Sequence, residues 1–368
     1  MSNTQENNLN LLTFAAIDKT IVSNIPHLTQ DEVRGKSYIA YGDNNLWPQY
    51  LYYNLYQEVT TLKTIIDGTS SYVAGDDARC NAPGFETVVN RKGDTVRNLI
   101  KWVARDYYLY GGFAIEVIRN LNGKVGELYY TDFKNLRSDK KNEAFWYSEE
   151  YDKKYVRTTK TLVYPKYIIN GDSPTSIVYV KNDVGATYPT PRWSGAIRAA
   201  EIEKAIDNLH LNSLENGFMG SYWISLNNGI PTDEQKAQIE KDVVSKFGGT
   251  ENAGRIVISY ANSEENAPKI EKLDITDFGD KYQAAANRSR EQIYCAFQAI
   301  PQLFGNMAAA TGFNEVEFQK AWDLYNRTVV RDTQRVIGDA FDHIFGMKDS
   351  ITIKPFSIEE NNDEQTVS

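Results

Sequence analysis

Two pairs of aspartates are the residues of this sequence whose type and spacing could perform chemistry. Asp76 and Asp77 are adjacent, and Asp274 and Asp277 lie three positions apart. Paired carboxylates can bind a divalent cation or act as a general acid and a general base. Aspartates in turns more often bond to nearby backbone groups or face water. An intracellular metal-dependent enzyme that uses either pair therefore stays open as one hypothesis.

Cysteine and histidine are too scarce to build the other common centres. Cys80 and Cys295 are far apart, without a C-x-x-C motif, and the three histidines occur in unrelated contexts. A zinc site and a disulfide framework both lack ligands, and most conceivable active sites lack the commonest general base. The motifs of phosphate loops, zinc peptidases and acyl transfer are missing as well. We therefore expect neither a metal nor a cofactor.

Charge and composition exclude several classes of protein. The 368 residues are 41% hydrophobic and carry 49 acidic against 40 basic side chains, a formal net charge of -9. This composition predicts two or three packed domains, and the acidic balance excludes a basic protein that coats DNA. The longest uncharged run, 292–314, contains proline, glycine and amide side chains and does not fit a membrane span. The N-terminal residues show no secretory signal, so we expect the protein to stay in the cell that makes it.

The first half of the chain is predicted to contain both helices and strands, which would position any site. Apolar residues at helical spacing predict one helix over 51–73 and a second helix, capped by Asp94, that ends at Gly111. Strands over 113–119 and 125–130, joined at Asn122-Gly123, predict a β-hairpin. Further strands near 160–169 and 176–180 make this half α+β.

Long helices dominate the second half, with a small α+β module after the first of them. The first helix is predicted over 193–218 from two apolar stripes. The module contains strands over 221–226 and 255–260, and Thr232 and Gln235 between them form a capping box that predicts a helix start. Because its local signals are complete, we expect the module to be a separable packing unit.

Two more helices follow, separated by an uncharged loop. The first covers 280–300 and ends there because Pro301 disfavours helical geometry in the residue before it. The loop covers 302–313, and the last helix runs from Asn314 to about residue 345. The polar, acidic tail from 359 onwards is expected to be disordered.

Three stretches are distinctive when they are taken with this order of elements. They are the helix, glycine turn and hairpin over 104–128, the module flanks 215–218 and 252–258, and the turn Ile300-Pro-Gln-Leu-Phe-Gly305 with the Phe313-Asn-Glu315 that follows it. Together they resemble the portal proteins of long-tailed, double-stranded DNA bacteriophages. The resemblance covers about residues 45–345.

The resemblance implies an α+β, portal-like fold: a wing, two long stem helices flanking a small clip, a tunnel loop and a long C-terminal helix. The implied parts are an N-terminal arm (1–44), the wing (45–192), stem helix 1 (193–219), the clip (220–278), stem helix 2 (279–301), the tunnel loop (302–313), a long wing and crown helix with a final strand (314–358) and a disordered acidic tail (359–368). Since the sequence ends soon after the long helix, the crown is expected to be minimal or absent.

The resemblance also implies roles for individual residues. The tunnel-loop residues expected to face DNA are Gln302, Gly305, Asn306, Met307, Ala308, Ala309, Ala310, Thr311, Gly312 and Phe313. The clip residues expected to dock the packaging motor and the adaptor are Lys236 and Lys241. The stem residues expected at the subunit interface are Trp193, Ile197, Ile206, Tyr282, Ile293 and Phe297. No catalytic residue is implied.

The implied function is a ring at one capsid vertex through which the genome is packaged and ejected. Such a protein is assembled in the host cytoplasm and retained in the virion. The implied partners are further copies in a closed homo-oligomeric ring (a dodecamer), the terminase large subunit, a head-tail adaptor, the major capsid and scaffold proteins, and double-stranded DNA passing without sequence specificity. A phage head protein that binds the capsid without forming a channel is a third hypothesis.

The charge and the loop are consistent with a DNA channel. A ring through which DNA slides should not bind phosphate, because lysine and arginine contacts add strong, salt-dependent affinity. Acidity also confers solubility on proteins that never meet DNA. Helices with two apolar stripes need partners on two sides, which either a ring of subunits or the interior of one subunit supplies.

Overall fold

A computed structural model of the chain describes residues 11–13, 25–151, 160–215, 222–226, 231–232, 234–236, 238–239, 256–260, 276–305 and 315–356. The chain divides into two compact units. The smaller unit comprises residues 1–25 and 202–287, and the larger unit comprises residues 26–201 and 288–368.

Helices and strands both occur in the described residues, largely in separate runs, which confirms the predicted α+β class. The strands are β1 (Leu11–Thr13), β2 (Asp77–Cys80), β3 (Gly112–Arg119), β4 (Val125–Thr131), β5 (Leu136–Ser138), β6 (Ala144–Tyr147), β7 (Leu162–Pro165), β8 (Thr175–Lys181), β9 (Tyr222–Leu226), β10 (Ile256–Tyr260) and β11 (Ile351–Lys354). The α-helices are α1 (Trp47–Gln49), α2 (Thr60–Ala74), α3 (Val96–Tyr110), α4 (Ile197–Glu215), α5 (Thr276–Ala296), α6 (Glu315–Tyr325) and α7 (Arg331–Phe345). None of these helices combines the length and the apolar surface needed to cross a membrane.

The predicted hairpin lies at the centre of the larger unit. Strand β3 pairs antiparallel with β4 and, along its other edge, with β8. A second three-stranded sheet has the order β5-β6-β7, and β2 pairs with β11 as a separate two-stranded ribbon. Helix α3 ends at Gly111, which has a φ of 86°, and a Cβ atom there would lie 2.6 Å from the Thr190 carbonyl oxygen, so the position leaves no room for a side chain. The hairpin and the helix end before it are therefore confirmed.

The first predicted helix is wrong as a single element. A π-helical segment, Tyr50–Tyr56, precedes α2, and Val59 between them adopts an extended conformation with φ -97° and ψ 107°. Val59 is fully buried, so its side chain packs into the core while its backbone interrupts the helix. The cap of the next helix is also corrected: the Thr95 hydroxyl accepts a hydrogen bond from the Asn98 backbone N–H, whereas Asp94 accepts one from the Asn90 amide.

The second long helix ends earlier than Pro301 predicts. Helix α5 stops at Ala296, and Gln298 has a φ of 52°, which is incompatible with a continuing α-helix. Pro301 instead opens a 3-10 helix, Pro301–Phe304, so the predicted loop does not begin at Gln302. The last helix ends at Phe345 as predicted, but it contains a π-helical segment, Asn326–Val330, between α6 and α7.

The smaller unit contains a three-stranded sheet of order β1-β10-β9. Strands β9 and β10 are parallel, and β1 pairs antiparallel with β10 from a position far away in the sequence. The capping box is confirmed: the Thr232 N–H donates to Gln235 Oε1 at 3.0 Å, and the Gln235 N–H donates to Thr232 Oγ1 at 3.4 Å. The sheet therefore needs the N-terminal residues 11–13 in addition to the predicted module.

Candidate functional site

Residues 301–305 form the base of the predicted tunnel loop, and two side chains fix this base to the larger unit. The Tyr72 hydroxyl donates a hydrogen bond to the Leu303 carbonyl oxygen at 2.5 Å. The buried Phe304 ring lies 5.9 Å from the Tyr72 ring and 5.6 Å from the Tyr325 ring, edge-on to both. The base of the loop is thus held through its backbone and through an aromatic side chain.

A missing side chain in α2 makes room for this anchor. A Cβ atom on Gly68 would lie 2.8 Å from the Phe304 ring, closer than carbon atoms can approach. On the other side of the base, Gly305 has a φ of 77° and is exposed, so the chain turns away from the core there. The anchor was missed from the sequence, although two apolar residues, Leu303 and Phe304, at the start of an otherwise small-residue loop were a signal for it.

The predicted DNA-facing residues fall on both sides of Gly305. Gln302 is half-buried, and its Oε1 atom is buried without a hydrogen-bond partner among the described residues. The remaining predicted positions lie outside the described residues, namely Asn306, Met307, Ala308, Ala309, Ala310, Thr311, Gly312 and Phe313. The structure therefore describes how the base of the loop is held.

The start of stem helix 1 is fixed by a fully buried tryptophan. The Trp193 indole N–H donates to the Tyr108 carbonyl oxygen at 3.0 Å, and its ring stacks on Phe297 with centroids 5.9 Å apart. The Tyr50 hydroxyl donates to Glu201 Oε1 at 2.6 Å. Arg192 forms an ion pair with Asp332 at 3.0 Å. The first turns of α4 are therefore part of the packed larger unit.

The stem residues predicted at the subunit interface are mostly buried within the single chain. Five of the six are buried in a single chain, namely Trp193, Ile197, Ile206, Ile293 and Phe297. Tyr282 is half-buried. These five side chains pack within their own subunit, and their place at a subunit interface stays a prediction. The exposed apolar residues of α4 include Ile202, at 46% exposure, and Leu209, at 37%, seven positions apart and on one face of the helix.

Two buried charged groups hold the wing segments around these anchors. Asp106 accepts hydrogen bonds from the Tyr130 hydroxyl at 2.8 Å and from Arg105 Nη2 at 3.2 Å. Burial raises the pKa of Asp106 to about 6, although the Arg105 charge and the Tyr130 hydrogen bond lower it. Because Asp106 lies on α3 and Tyr130 on β4, this cluster joins the helix to the hairpin.

The second buried group is Arg137, which has no carboxylate partner among the residues that the structure describes. Its guanidinium donates to neutral oxygens only, among them Asn45 Oδ1 at 2.5 Å and the Lys134 carbonyl at 2.9 Å, and it lies 4.2 Å from the Tyr151 ring centre. Burial lowers the pKa of Arg137. The fork of donors fastens the segment around Asn45 to β5.

The paired aspartates do not form a metal centre in the described part of the chain. Asp77, the first residue of β2, pairs with Arg79 at 3.2 Å and accepts a hydrogen bond from the Ala78 N–H, so both of these contacts are local. Asp274 lies outside the described residues, and of Asp277 only the backbone, at the start of α5, is described. Across the described ranges, no group of three histidine, cysteine, aspartate or glutamate residues could hold a metal ion.

The two predicted docking lysines of the clip are only partly described. The side chain of Lys236 is half-buried, and its backbone N–H donates to the Thr232 carbonyl oxygen at 2.9 Å. Lys241 lies outside the described residues. The capping box therefore fixes the helix turn that carries Lys236.

Comparison with known proteins gives one family and one curated relative. A family profile described as phage portal protein matches residues 90–356. The chain is 23% identical over 301 residues to "Uncharacterized protein YqbA" of Bacillus subtilis (strain 168), and the match covers 68% of this chain and 58% of that protein. The chain thus spans less than two thirds of the length of this relative.

Solved structures share the fold. The chain is similar to a chain in the virion of the native gene transfer agent (GTA) particle, with a TM-score of 0.54 and 17% identity over 84% of this chain and 83% of that one. It is also similar to a chain in the neck of the empty GTA particle computed with C6 symmetry, with a TM-score of 0.56 and 15% identity over 86% and 85%. A third similar chain lies in the neck of the native GTA particle computed with C12 symmetry. Its TM-score is 0.53 and its identity is 17%, over 85% of this chain and 86% of that one.

Proposed function

The chain belongs to the phage portal protein family, a structural and non-enzymatic family, and from this premise we propose that it forms a ring-shaped DNA channel at one capsid vertex. The genome would enter the capsid through this channel during packaging and leave through it during ejection. The observation that carries the proposal is the anchored base of the tunnel loop, where the Tyr72 hydroxyl and the packing of the Phe304 ring hold the C-terminal end of a short 3-10 helix against α2.

An anchored base suits a loop that contacts moving DNA. No charged side chain occurs between Glu291 and Glu315, so this segment offers no cation to the phosphates. Lysine or arginine contacts would add affinity that falls steeply with salt concentration and would retain the DNA. A neutral loop on a fixed base can lie close to the duplex without ion-pairing to it.

The ring is proposed to close through head-to-tail contacts between unlike surfaces of neighbouring copies. The outward face of α4, which contains Ile202 and Leu209, is the surface we assign to one side of that contact, because both side chains are exposed in the single chain. The C12 symmetry of one similar neck structure supports a ring of twelve copies.

The remaining partners follow from the position of a portal ring. We place the protein in the virion, at the neck, after assembly in the host cytoplasm. The clip would bind the terminase large subunit during packaging and a head-tail adaptor afterwards, and the wing would contact the major capsid and scaffold proteins. Exchanging Lys236 and Lys241 for glutamate should leave the ring intact and weaken docking of the terminase, whereas the same exchange at the exposed wing positions Lys124 and Lys141 should change neither.

The decisive experiment combines ring assembly with DNA packaging. The double variant Asn306→Lys with Thr311→Lys should form normal rings in negative-stain images, bind DNA with strong salt dependence, and slow packaging and ejection. Its matched control, Asn122→Lys with Thr64→Lys, places the same cations on exposed positions of the wing and should leave packaging unchanged.

Three other results would contradict parts of the proposal. A broken ring in the loop variant would place the loop at the subunit interface. An intact ring with unchanged packaging would reject contact between the loop and DNA. A wild-type chain that stays monomeric or dimeric at all salt concentrations, with and without its scaffold protein, would favour a head protein that forms no channel.

A further inference from the structure

An open groove runs between helix α7 and strand β11 in the larger unit. Its volume is about 380 Å³, and the proposed channel function makes no use of it. The helix contributes Arg331, Arg335 and Gly338 to the lining, and the strand contributes Ile351 and Ile353. The groove is open to solvent, and its lining combines apolar side chains with charged side chains of both signs.

One wall of the groove is the free edge of a two-stranded ribbon. Among the described residues, β2 is the only strand that pairs with β11. The Asn81 N–H donates to the Ser350 carbonyl oxygen, and backbone groups in an antiparallel pair alternate in direction along the strand. The N–H and C=O groups of Ile351 and Ile353 therefore point away from β2. These are the two residues of β11 that line the groove.

The floor of the groove is kept open by a glycine within a helix. Gly338 lies near the middle of α7, where glycine costs about 1 kcal/mol relative to alanine. No atom lies within 4 Å of the position that a Cβ atom on Gly338 would occupy. Local stability therefore does not favour glycine here, and the missing side chain leaves space beside the half-buried Ile351 and Ile353.

The two ends of the groove carry opposite charges. Arg331 and Arg335 are exposed, one helical turn apart, and neither forms an ion pair with a described residue within 4.0 Å. Asp339 and Asp349, both exposed, line the other part of the groove together with Asp342. Asp342 is already occupied, since it accepts hydrogen bonds from the Asp349 and Ser350 N–H groups.

We propose that this groove binds an extended peptide segment of another protein, which adds as a strand to the free edge of β11. Its backbone would pair with Ile351 and Ile353, and its alternate apolar side chains would enter the space beside Gly338. Acidic side chains at one end would face Arg331 and Arg335, and basic side chains at the other end would face Asp339 and Asp349. Peptides with the reversed charge order would bring like charges together and bind weakly in the same register.

The test starts from a random dodecapeptide library displayed on phage and selected against the purified full chain. We expect enriched peptides to alternate apolar and polar residues and to carry acidic residues at one end. A synthetic, fluorescently labelled copy of the most enriched peptide then gives dissociation constants by anisotropy. Methylating the backbone nitrogens on one edge of that peptide should weaken binding at least about tenfold, because those hydrogen bonds are lost.

Variants of the chain assign the binding to the groove. Gly338→Leu fills the floor, and Arg331→Glu with Arg335→Glu reverses the charge, so each should weaken peptide binding at least about tenfold. Arg327→Glu changes an equally exposed arginine that does not line the groove and should leave binding unchanged. Since the Gly338 Cβ position is free of neighbours, Gly338→Leu should unfold at the same or a higher urea concentration than wild type.

The proposal is overturned by any of three results. The first is a library that yields no enriched peptide. The second is enriched peptides that bind Gly338→Leu as tightly as wild type, and the third is a methylated peptide that binds as tightly as the parent. Enriched peptides that reproduce a segment of this same chain would also overturn it, because the groove would then be a contact between copies. None of these results depends on whether the chain forms a DNA channel.

Discussion

The hydroxyl of Tyr72 donates to the carbonyl oxygen of Leu303 at 2.5 Å, across 231 residues of sequence. The bond joins the last turn of α2 to the base of the tunnel loop, and the Phe304 ring packs beside it. The base of the loop must therefore follow any movement of α2. This coupling gives the loop a fixed origin, as the proposed contact with moving DNA would require.

Removing the Tyr72 hydroxyl should weaken the attachment of the loop base to α2 without disturbing the aromatic packing. Tyr72→Phe is expected to lower the free energy of unfolding by about 1 kcal/mol, the typical net value of one hydrogen bond. The comparison is Tyr53→Phe, at a side chain that is 47% exposed, which should change stability by less than about 0.5 kcal/mol. Urea unfolding of both variants measures the difference, and equal stabilities would show that the bond contributes nothing.

The two glycines within helices, Gly68 in α2 and Gly338 in α7, should respond to alanine with opposite signs. Gly338→Ala adds a methyl group to open space and should raise the free energy of unfolding by about 0.5–1 kcal/mol. Gly68→Ala gains the same helix propensity, but its methyl group displaces the Phe304 ring. We therefore expect the free energy of unfolding to fall by about 1–2 kcal/mol. Urea unfolding measures both changes, and a stabilised Gly68→Ala variant would mean that the ring is not confined.

The buried carboxyl of Asp106 should make stability depend on pH. Burial raises its pKa in the folded protein to about 6, from 3.8. The folded state then holds this proton more tightly than the unfolded chain does, so its contribution to the free energy of unfolding falls as the pH rises from about 4 to about 6. Asp106→Asn cannot titrate. The free energy of unfolding of wild type minus that of the variant, measured in urea, should therefore decrease across this window and stay level above it, and a difference independent of pH would contradict the shift.

Replacing Arg137 with lysine, the other cationic side chain, should destabilise the protein. Its buried guanidinium donates to several neutral oxygens in a fixed planar fork, which a lysine ammonium cannot reproduce. Arg137→Lys is expected to lower the free energy of unfolding by at least about 3 kcal/mol, since buried acceptors lose their donors. Arg91→Lys, at a side chain that is 75% exposed, should stay within about 0.5 kcal/mol of wild type. Similar unfolding curves for the two variants would show that the fork does not hold the segment around Asn45.

Trp193, which lies just before α4, and Ile202, on the exposed face of α4, should affect different properties. Trp193→Ala removes a fully buried ring and should cost about 3–5 kcal/mol of subunit stability. Ile202→Ser changes an exposed position, so subunit stability should change by less than about 0.5 kcal/mol while the ring weakens. Urea unfolding and light scattering separate the two effects. If the Ile202→Ser variant forms rings of normal stability, the subunit contact must lie on another surface.

The sequence alone predicted elements whose signals are local. Helix α3 ends at Gly111, β3 and β4 form a hairpin, and Thr232 and Gln235 cap the clip helix. In each case the residues that specify the element are neighbours along the chain, so the same preference operates in any tertiary context. The order of such elements, together with three short stretches, was also enough to indicate the family.

Tertiary structure decided which partners distant segments find. Strand β11 pairs with β2, Tyr72 reaches Leu303, and β1 completes the sheet of the smaller unit, all across long separations in sequence. The two-striped helix at 193–218 illustrates the limit. Its pattern required partners on two sides, but apolar residues look alike whether they face their own subunit or a neighbour. Only the packed structure showed that Trp193 faces inward and Ile202 outward, because burial is a property of the surroundings and not of the residue.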